Sequence, residues 1–125
     1  EAYAHAHAGL PLVQHSVQLM LKYVEEGKLS MEKMVEKMSH AVATCFQIKD
    51  RGFIREGYHA DLVLVKKAPY TVSKDNILYH CGWSPFEGNS FPYQVNTTFV
   101  NGYKVYHEGV FNEAKKGQRL QFTRS

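Results

Sequence analysis

The sequence lacks an apolar run of about 18 residues, the length that a membrane-spanning helix needs, and it shows no secretory leader. Its two cysteines, Cys45 and Cys81, lie far apart and in different contexts, so reduced thiols in the cytoplasm are expected. It also lacks a block of like charge: the net charge is +3, and the basic side chains have acidic neighbours. These absences argue against a membrane partner and against a nucleic-acid partner.

The chain does have enough apolar and aromatic content for one folded domain with a core, 44% and 13% of 125 residues. Residues 11–26 carry apolar side chains at helical spacing, with Pro11 suited to the first turn and Gly27 to the C-cap. Ser30 is a good N-cap for a second helix. The predicted buried stripe of that helix comprises Met31, Met34, Val35, Met38, Val42 and Phe46.

From Lys49 onward the pattern changes to that of β-strands. Residues 60–65, 95–100 and 103–106 predict strands, and Asn101-Gly102 is typical of a type I′ hairpin turn. Residues 69–94 are rich in Gly, Pro, Ser and Asn and are predicted to be irregular. About three strands with one apolar face make a poor sheet by themselves, so we expect the helices or further strands to cover them.

Three segments of the β-rich half carry family patterns. "RGFIREGYHADLVLV" resembles the segment in which amidohydrolases return from their metal-dependent barrel to a small β-sandwich; the matching residues are Gly52, Ile54, Gly57, Ala60, Asp61, Leu62 and Val63. "TFVNGYKVYHEG" resembles the closing hairpin of that family. "NILYHCGWSPFEG", residues 76–88, is similar to a segment of dihydroorotases and is the most specific of the three. Asp61 is expected to accept hydrogen bonds from turn amides.

"GLPLVQHS", residues 9–16, resembles the substrate loop and helix start of bacterial, Bacteroides-like dihydroorotases. The resemblance then covers nearly the whole chain and implies an α/β protein that is the C-terminal fragment of a metal-dependent (β/α)8 barrel hydrolase. Residues 1–48 would be the end of the barrel domain, with the substrate loop and the last barrel helices. Residues 49–125 would form the C-terminal half of the small β-sandwich.

The activity that the resemblance implies is that of dihydroorotase, the zinc-dependent cyclic amidohydrolase that interconverts carbamoyl aspartate and dihydroorotate in pyrimidine biosynthesis. The resemblance also implies that the zinc ligands and the catalytic base lie upstream of this chain. The chain is therefore expected to be inactive alone and to need the missing N-terminal barrel portion. Two alternatives stay open. One is another cyclic amidohydrolase, of the dihydropyrimidinase or allantoinase type; the other is a non-catalytic module that pairs with another chain or forms a homodimer.

Three histidines near the N-terminus raise the question of a metal site. His5 and His7 form an H-x-H pair, which can hold zinc when an apolar strand precedes it, but only four residues do so here. No metal-binding or catalytic role is therefore assigned within the chain. By resemblance, Ala8 and Gly9 contact the substrate through backbone groups, with His7 beside them, because small residues permit close approach. His15 is interpreted as a packed or helix-face histidine.

Overall fold

The computed structural model describes residues 9–123. Its helical half consists of a 3₁₀ turn (Val13–His15), α1 (Ser16–Glu25), α2 (Met31–Val35), a π-helical turn (Glu36–His40) and α3 (Ala41–Cys45). Its second half consists of β1 (Leu62–Thr71), a 3₁₀ turn (Lys74–Asn76), β2 (Ser90–Val100), β3 (Tyr103–His107) and β4 (Val110–Phe111). The predicted order, helices and then strands, is confirmed.

The first helix begins later than its sequence predicts. Pro11 precedes the 3₁₀ turn, and α-helical geometry starts only at Ser16. Long-range contacts hold this end of the helix: the backbone N–H of Gln14 donates to the hydroxyl of Tyr79, 2.6 Å away. The start of α1 is therefore set by a contact 65 residues away in sequence.

The two helix caps that the sequence predicts are confirmed. Gly27 has φ +70°, and the next amide, that of Lys28, donates to the carbonyl of Tyr23 at 3.0 Å. This closing bond needs a residue in the left-handed region, which glycine adopts without steric cost. The hydroxyl of Ser30 accepts a hydrogen bond from the N–H of Lys33 at 3.1 Å and so begins α2.

The second helix is interrupted by its π-helical turn, in which the N–H of Ala41 donates to the carbonyl of Glu36, five residues earlier. One extra residue in a turn rotates the later side chains by about 100° relative to the earlier ones. The predicted buried stripe is largely wrong: Met34 is buried, whereas four of its members are exposed, namely Met31, Val35, Val42 and Phe46. Helical spacing identified an apolar surface of which only a part is covered.

The four strands form one antiparallel sheet in the order β1-β2-β3-β4. The predicted hairpin between β2 and β3 is confirmed, since Asn101 and Gly102 both have positive φ, 52° and 80°. The prediction of an irregular segment at 69–94 is wrong at both ends. β1 continues to Thr71 through a register shift around Pro69, the kind of position at which a sheet tolerates proline.

The core lies where α1 packs on β2 and around the loop that precedes β2. Leu21 of α1, Phe91 of β2 and Val72 after β1 are almost fully buried. Much of the remaining apolar surface of the sheet is exposed, including Val63, Leu64, Val110 and Phe111. Among the described residues, no helix has the length and hydropathy to cross a membrane.

Candidate functional site

A buried arginine joins two of the family-like segments, residues 51–65 and residues 98–109. Arg51 is 8% exposed, and its guanidinium donates to Asp61 and, at 2.7 Å, to the Oδ1 of Asn101. Asp61 in turn accepts the backbone N–H of Asn101 at 2.8 Å, so its predicted role as an acceptor for turn amides is confirmed. The hairpin turn is thereby fixed to the residues that precede β1.

The carboxyl of Asp61 is held ionised by these contacts. Partial burial acts to raise its pKa, but the hydrogen bond from the Asn101 N–H and the Arg51 guanidinium outweigh burial and lower the pKa below its ordinary value. Asp61 thus serves as an anion that anchors the hairpin turn. Sequence reasoning identified Asp61 but missed Arg51, because no spacing rule connects Arg51 with Asn101.

A second contact fixes the start of α1 and is named here the Gln14 clamp: Gln14 with Asn76, Leu78 and Tyr79. The side-chain amide of Gln14 donates to the Asn76 carbonyl at 2.7 Å and accepts the Leu78 N–H at 2.8 Å. Its backbone N–H donates to the Tyr79 hydroxyl. The partners belong to the dihydroorotase-like segment 76–88, whereas Gln14 belongs to segment 9–16. Sequence reasoning missed Gln14, since a lone glutamine gives no signal.

His15 lies beside the clamp and is completely buried. Its ring stacks on Phe91 with a centroid distance of 6.1 Å and also contacts the rings of Tyr70 and Phe86. Neither ring nitrogen has a hydrogen-bond partner among the described residues. Burial therefore lowers the pKa of His15. Its interpretation as a packed histidine is confirmed.

The buried His15 predicts a loss of stability in mild acid. Unfolded histidine takes up a proton near pH 6.5, and the folded side chain does so only at lower pH, so the free energy of unfolding falls as pH decreases below about 6.5. Urea titrations at about pH 7.5 and about pH 5.5 should show this fall, and His15→Phe should reduce it. His80→Phe, at an exposed histidine, should leave the fall unchanged. An equal fall in all three proteins would contradict the assignment.

The residues predicted to contact substrate are only partly described. His5, His7 and Ala8 lie outside residues 9–123. Gly9 is exposed, and no atom lies within 4 Å of a Cβ placed on it. Nothing within the described part of the chain therefore demands glycine at this position, and its role in close approach to a substrate stays a prediction.

The described residues do not form a metal centre. Between Gly9 and Thr123, there is no group of three or more histidine, cysteine, aspartate or glutamate side chains that could hold a metal ion. The residues described here therefore do not fit a zinc site, and no catalytic step through zinc is assigned to them.

A groove of about 620 Å³ lies along the sheet and the residues after β4. Apolar and aromatic side chains such as Val95, Tyr106 and Phe111 line it, with Gln18 of α1 and Lys115 also contributing. Its described lining includes one carboxylate and no histidine, an unusual composition for a hydrolytic site. An apolar groove of this size is typical of a surface that receives another piece of protein or a ligand.

Comparison with known proteins gives a consistent picture. The sequence model of the amidohydrolase family matches residues 8–105. A dihydroorotase of Pyrococcus furiosus is 32% identical over 114 residues, which are 90% of this chain and 27% of that protein. An allantoinase of Bacillus velezensis is 29% identical over 90 residues, 72% of this chain and 20% of that protein. The chain thus spans about a quarter of the length of the curated relatives it matches.

Solved structures show the same relationship. The D-hydantoinase (dihydropyrimidinase) of a Thermus species superimposes with a TM-score of 0.79 and 26% identity, covering 90% of this chain and 25% of that one. The L-hydantoinase (dihydropyrimidinase) of Arthrobacter aurescens gives a TM-score of 0.77 and 28% identity, covering 86% and 24%. The mixed helix and sheet arrangement described above therefore occurs within larger hydrolases.

Proposed function

Because the chain belongs to the amidohydrolase family, we propose that it is the C-terminal portion of a cyclic amidohydrolase, specifically of a dihydroorotase that interconverts carbamoyl aspartate and dihydroorotate. The observation that carries the proposal is the match over 90% of this chain to only 27% of a dihydroorotase. In this proposal residues 1–48 complete the barrel domain, residues 49–125 belong to the β-sandwich, and the parent enzyme is of the bacterial, Bacteroides-like kind.

One sequence feature favours dihydroorotase among the cyclic amidohydrolases. The segment 76–88 is similar to dihydroorotases, and the more general patterns around Asp61 and Asn101 also suit the related enzymes. The Gln14 clamp and the packing of Phe86 on His15 attach this segment to residues 9–16, the segment proposed to adjoin the substrate. The proposed substrate contacts are Ala8 and Gly9 through backbone groups, with His7 beside them.

The exposed apolar surface supports a role as part of a larger protein. Val63 and Leu64 of the edge strand β1 are 48% and 51% exposed, and the groove beside Tyr106 is apolar. An edge strand with such side chains is a surface that other strands pair with or cover. We therefore propose that the upstream portion of the enzyme, which would also carry the zinc ligands and the catalytic base, is the partner that covers it.

A second candidate is another cyclic amidohydrolase, because an allantoinase and two hydantoinases resemble the chain nearly as closely as dihydroorotases do. A non-catalytic module that pairs with another chain is the third. The mass of the protein in its source cells separates the module from the enzymes: an enzyme portion predicts a protein more than three times as long as this chain, whereas the module predicts this chain alone.

The proposal predicts that the purified chain, supplied with zinc, hydrolyses no cyclic amide. Dihydroorotate, dihydrouracil, allantoin and hydantoin would be incubated with the chain and followed by chromatography, with an intact dihydroorotase as positive control. The expected result is no turnover above the zinc-only blank. Turnover that rises in proportion to the concentration of the chain, and that persists through a second purification, would contradict the proposal. The zinc ligands and the catalytic base would then not all lie in the upstream portion.

A further inference from the structure

The described chain before α1 is attached at Gln14. Leu10, Leu12 and Val13 are exposed by 61%, 41% and 80%. Within residues 9–123, Gln14 is the first residue whose side chain makes a hydrogen bond. The path of the chain from Gly9 to α1 is therefore determined at Gln14 rather than by the apolar side chains before it.

The bonds of the Gln14 clamp fix orientation as well as position. The side-chain amide uses its nitrogen as a donor to the Asn76 carbonyl and its oxygen as an acceptor from the Leu78 N–H, at 2.7 and 2.8 Å. The backbone N–H adds a third bond, to the Tyr79 hydroxyl. A primary amide is needed for this pair of side-chain bonds, because a carboxylate lacks the donor and an aliphatic chain lacks both groups.

The neighbouring His15 prevents the clamp from shifting along the chain. Its ring is completely buried against Tyr70, Phe86 and Phe91, so the residue after Gln14 has one position. The clamp and the ring together connect residues 9–13 with the segment 76–88 on one side and with the sheet on the other.

We propose that Gln14 is a positioning residue for the parent enzyme: through its bonds to the dihydroorotase-like residues 76–79 it fixes residues 9–13, which lie within the segment proposed to adjoin the substrate. This inference rests on the proposed function and adds a positioning residue to it. Residues 76–79 thereby influence the substrate site through Gln14 without touching the substrate.

The first test measures the clamp in this chain by hydrogen exchange. The amides of Gln14, His15 and Ser16 are all hydrogen-bonded, so their exchange reports opening of the segment. Gln14→Met should accelerate their exchange about tenfold, which corresponds to about 1.4 kcal/mol, the contribution of one or two hydrogen bonds. Tyr79→Phe, which removes only the hydroxyl acceptor, should act in the same direction.

Gln94→Met is the matched control, because the amide of Gln94 donates one hydrogen bond, to the Pro69 carbonyl within the sheet, at 2.8 Å. It removes the same chemical group and should leave exchange at Gln14, His15 and Ser16 unchanged. Equal acceleration in both methionine variants, or none in Gln14→Met, would overturn the clamp.

The second test uses this chain fused to the upstream part of the Pyrococcus furiosus dihydroorotase. A displaced substrate segment weakens binding, so Gln14→Met should raise KM for dihydroorotate about tenfold with kcat changed less than about twofold. A merely structural role would lower the folded fraction and hence the apparent kcat at constant KM, and that result would overturn the inference. If the fusion with Gln14 intact unfolds cooperatively, and is therefore folded, but has no turnover, the proposed function fails, and the exchange test alone decides the clamp.

Discussion

Gly52→Ala should lower the free energy of unfolding by about 3 kcal/mol, from a steric clash and an unfavourable backbone conformation together. Gly52 has φ +83°, and a Cβ on it would lie 2.4 Å from the Cβ of Ala43 and 3.1 Å from the carbonyl oxygen of Ser39. Both neighbours belong to the interrupted helix, so neither can move without distorting it. Urea titration at neutral pH measures the loss.

Gly57→Ala is the matched control for this prediction. Gly57 has nearly the same φ, +81°, but no atom lies within 4 Å of a Cβ placed on it. Only the backbone cost should appear there, about 1 kcal/mol. The double variant Ala43→Gly, Gly52→Ala should recover part of the loss, because it removes the clashing methyl group. Equal losses at the two glycines would show that the close approach of Gly52 to the helix does not limit stability.

Asp61→Ala should cost about 3 kcal/mol, because it removes the ionised partner of a buried guanidinium. Arg51 would keep only the Oδ1 of Asn101, and the Asn101 N–H would lose its acceptor. The hairpin and the residues before β1 would then lose their common anchor. Thermal and urea unfolding of the variant and the native chain measure the difference.

The control is Glu25→Ala, which removes an exposed carboxylate 2.6 Å from the ammonium group of Lys67. Exposed ion pairs add little, so the unfolding midpoint should hardly change. The pH dependence separates the cases further. Because the pKa of Asp61 is lowered, its contribution is present above about pH 3.8 and disappears as pH falls through the folded pKa. An Asp61→Ala effect that stayed constant down to about pH 2 would contradict the ion pair.

Local signals predicted the features that local geometry determines. The Gly27 and Ser30 caps and the Asn101-Gly102 turn each depend on a few neighbouring residues, and each lies where predicted. The late start of α1 and the continuation of β1 past Pro69 depend on partners in distant segments. Sequence periodicity does not contain that information.

The same distinction between local and long-range determinants applies to the candidate site. Family-like segments were recognisable, but the side chains that connect them, Arg51 and Gln14, carry no pattern and act across 50 to 65 residues of sequence. The apolar stripe that includes Met31 and Val42 shows that helical spacing does not by itself predict burial. Helical spacing locates an apolar face, whereas the fraction of that face that other residues bury is not encoded in the spacing.

The most direct measurement replaces the 114 matching residues of the Pyrococcus furiosus dihydroorotase with this chain and assays dihydroorotate hydrolysis. A parallel fusion to the upstream part of the Bacillus velezensis allantoinase is assayed with allantoin. The proposed function predicts turnover in the dihydroorotase fusion, more of it than in the allantoinase fusion relative to each parent enzyme, and none in either upstream part alone. Fusions that unfold cooperatively, and are therefore folded, but hydrolyse neither substrate would contradict it.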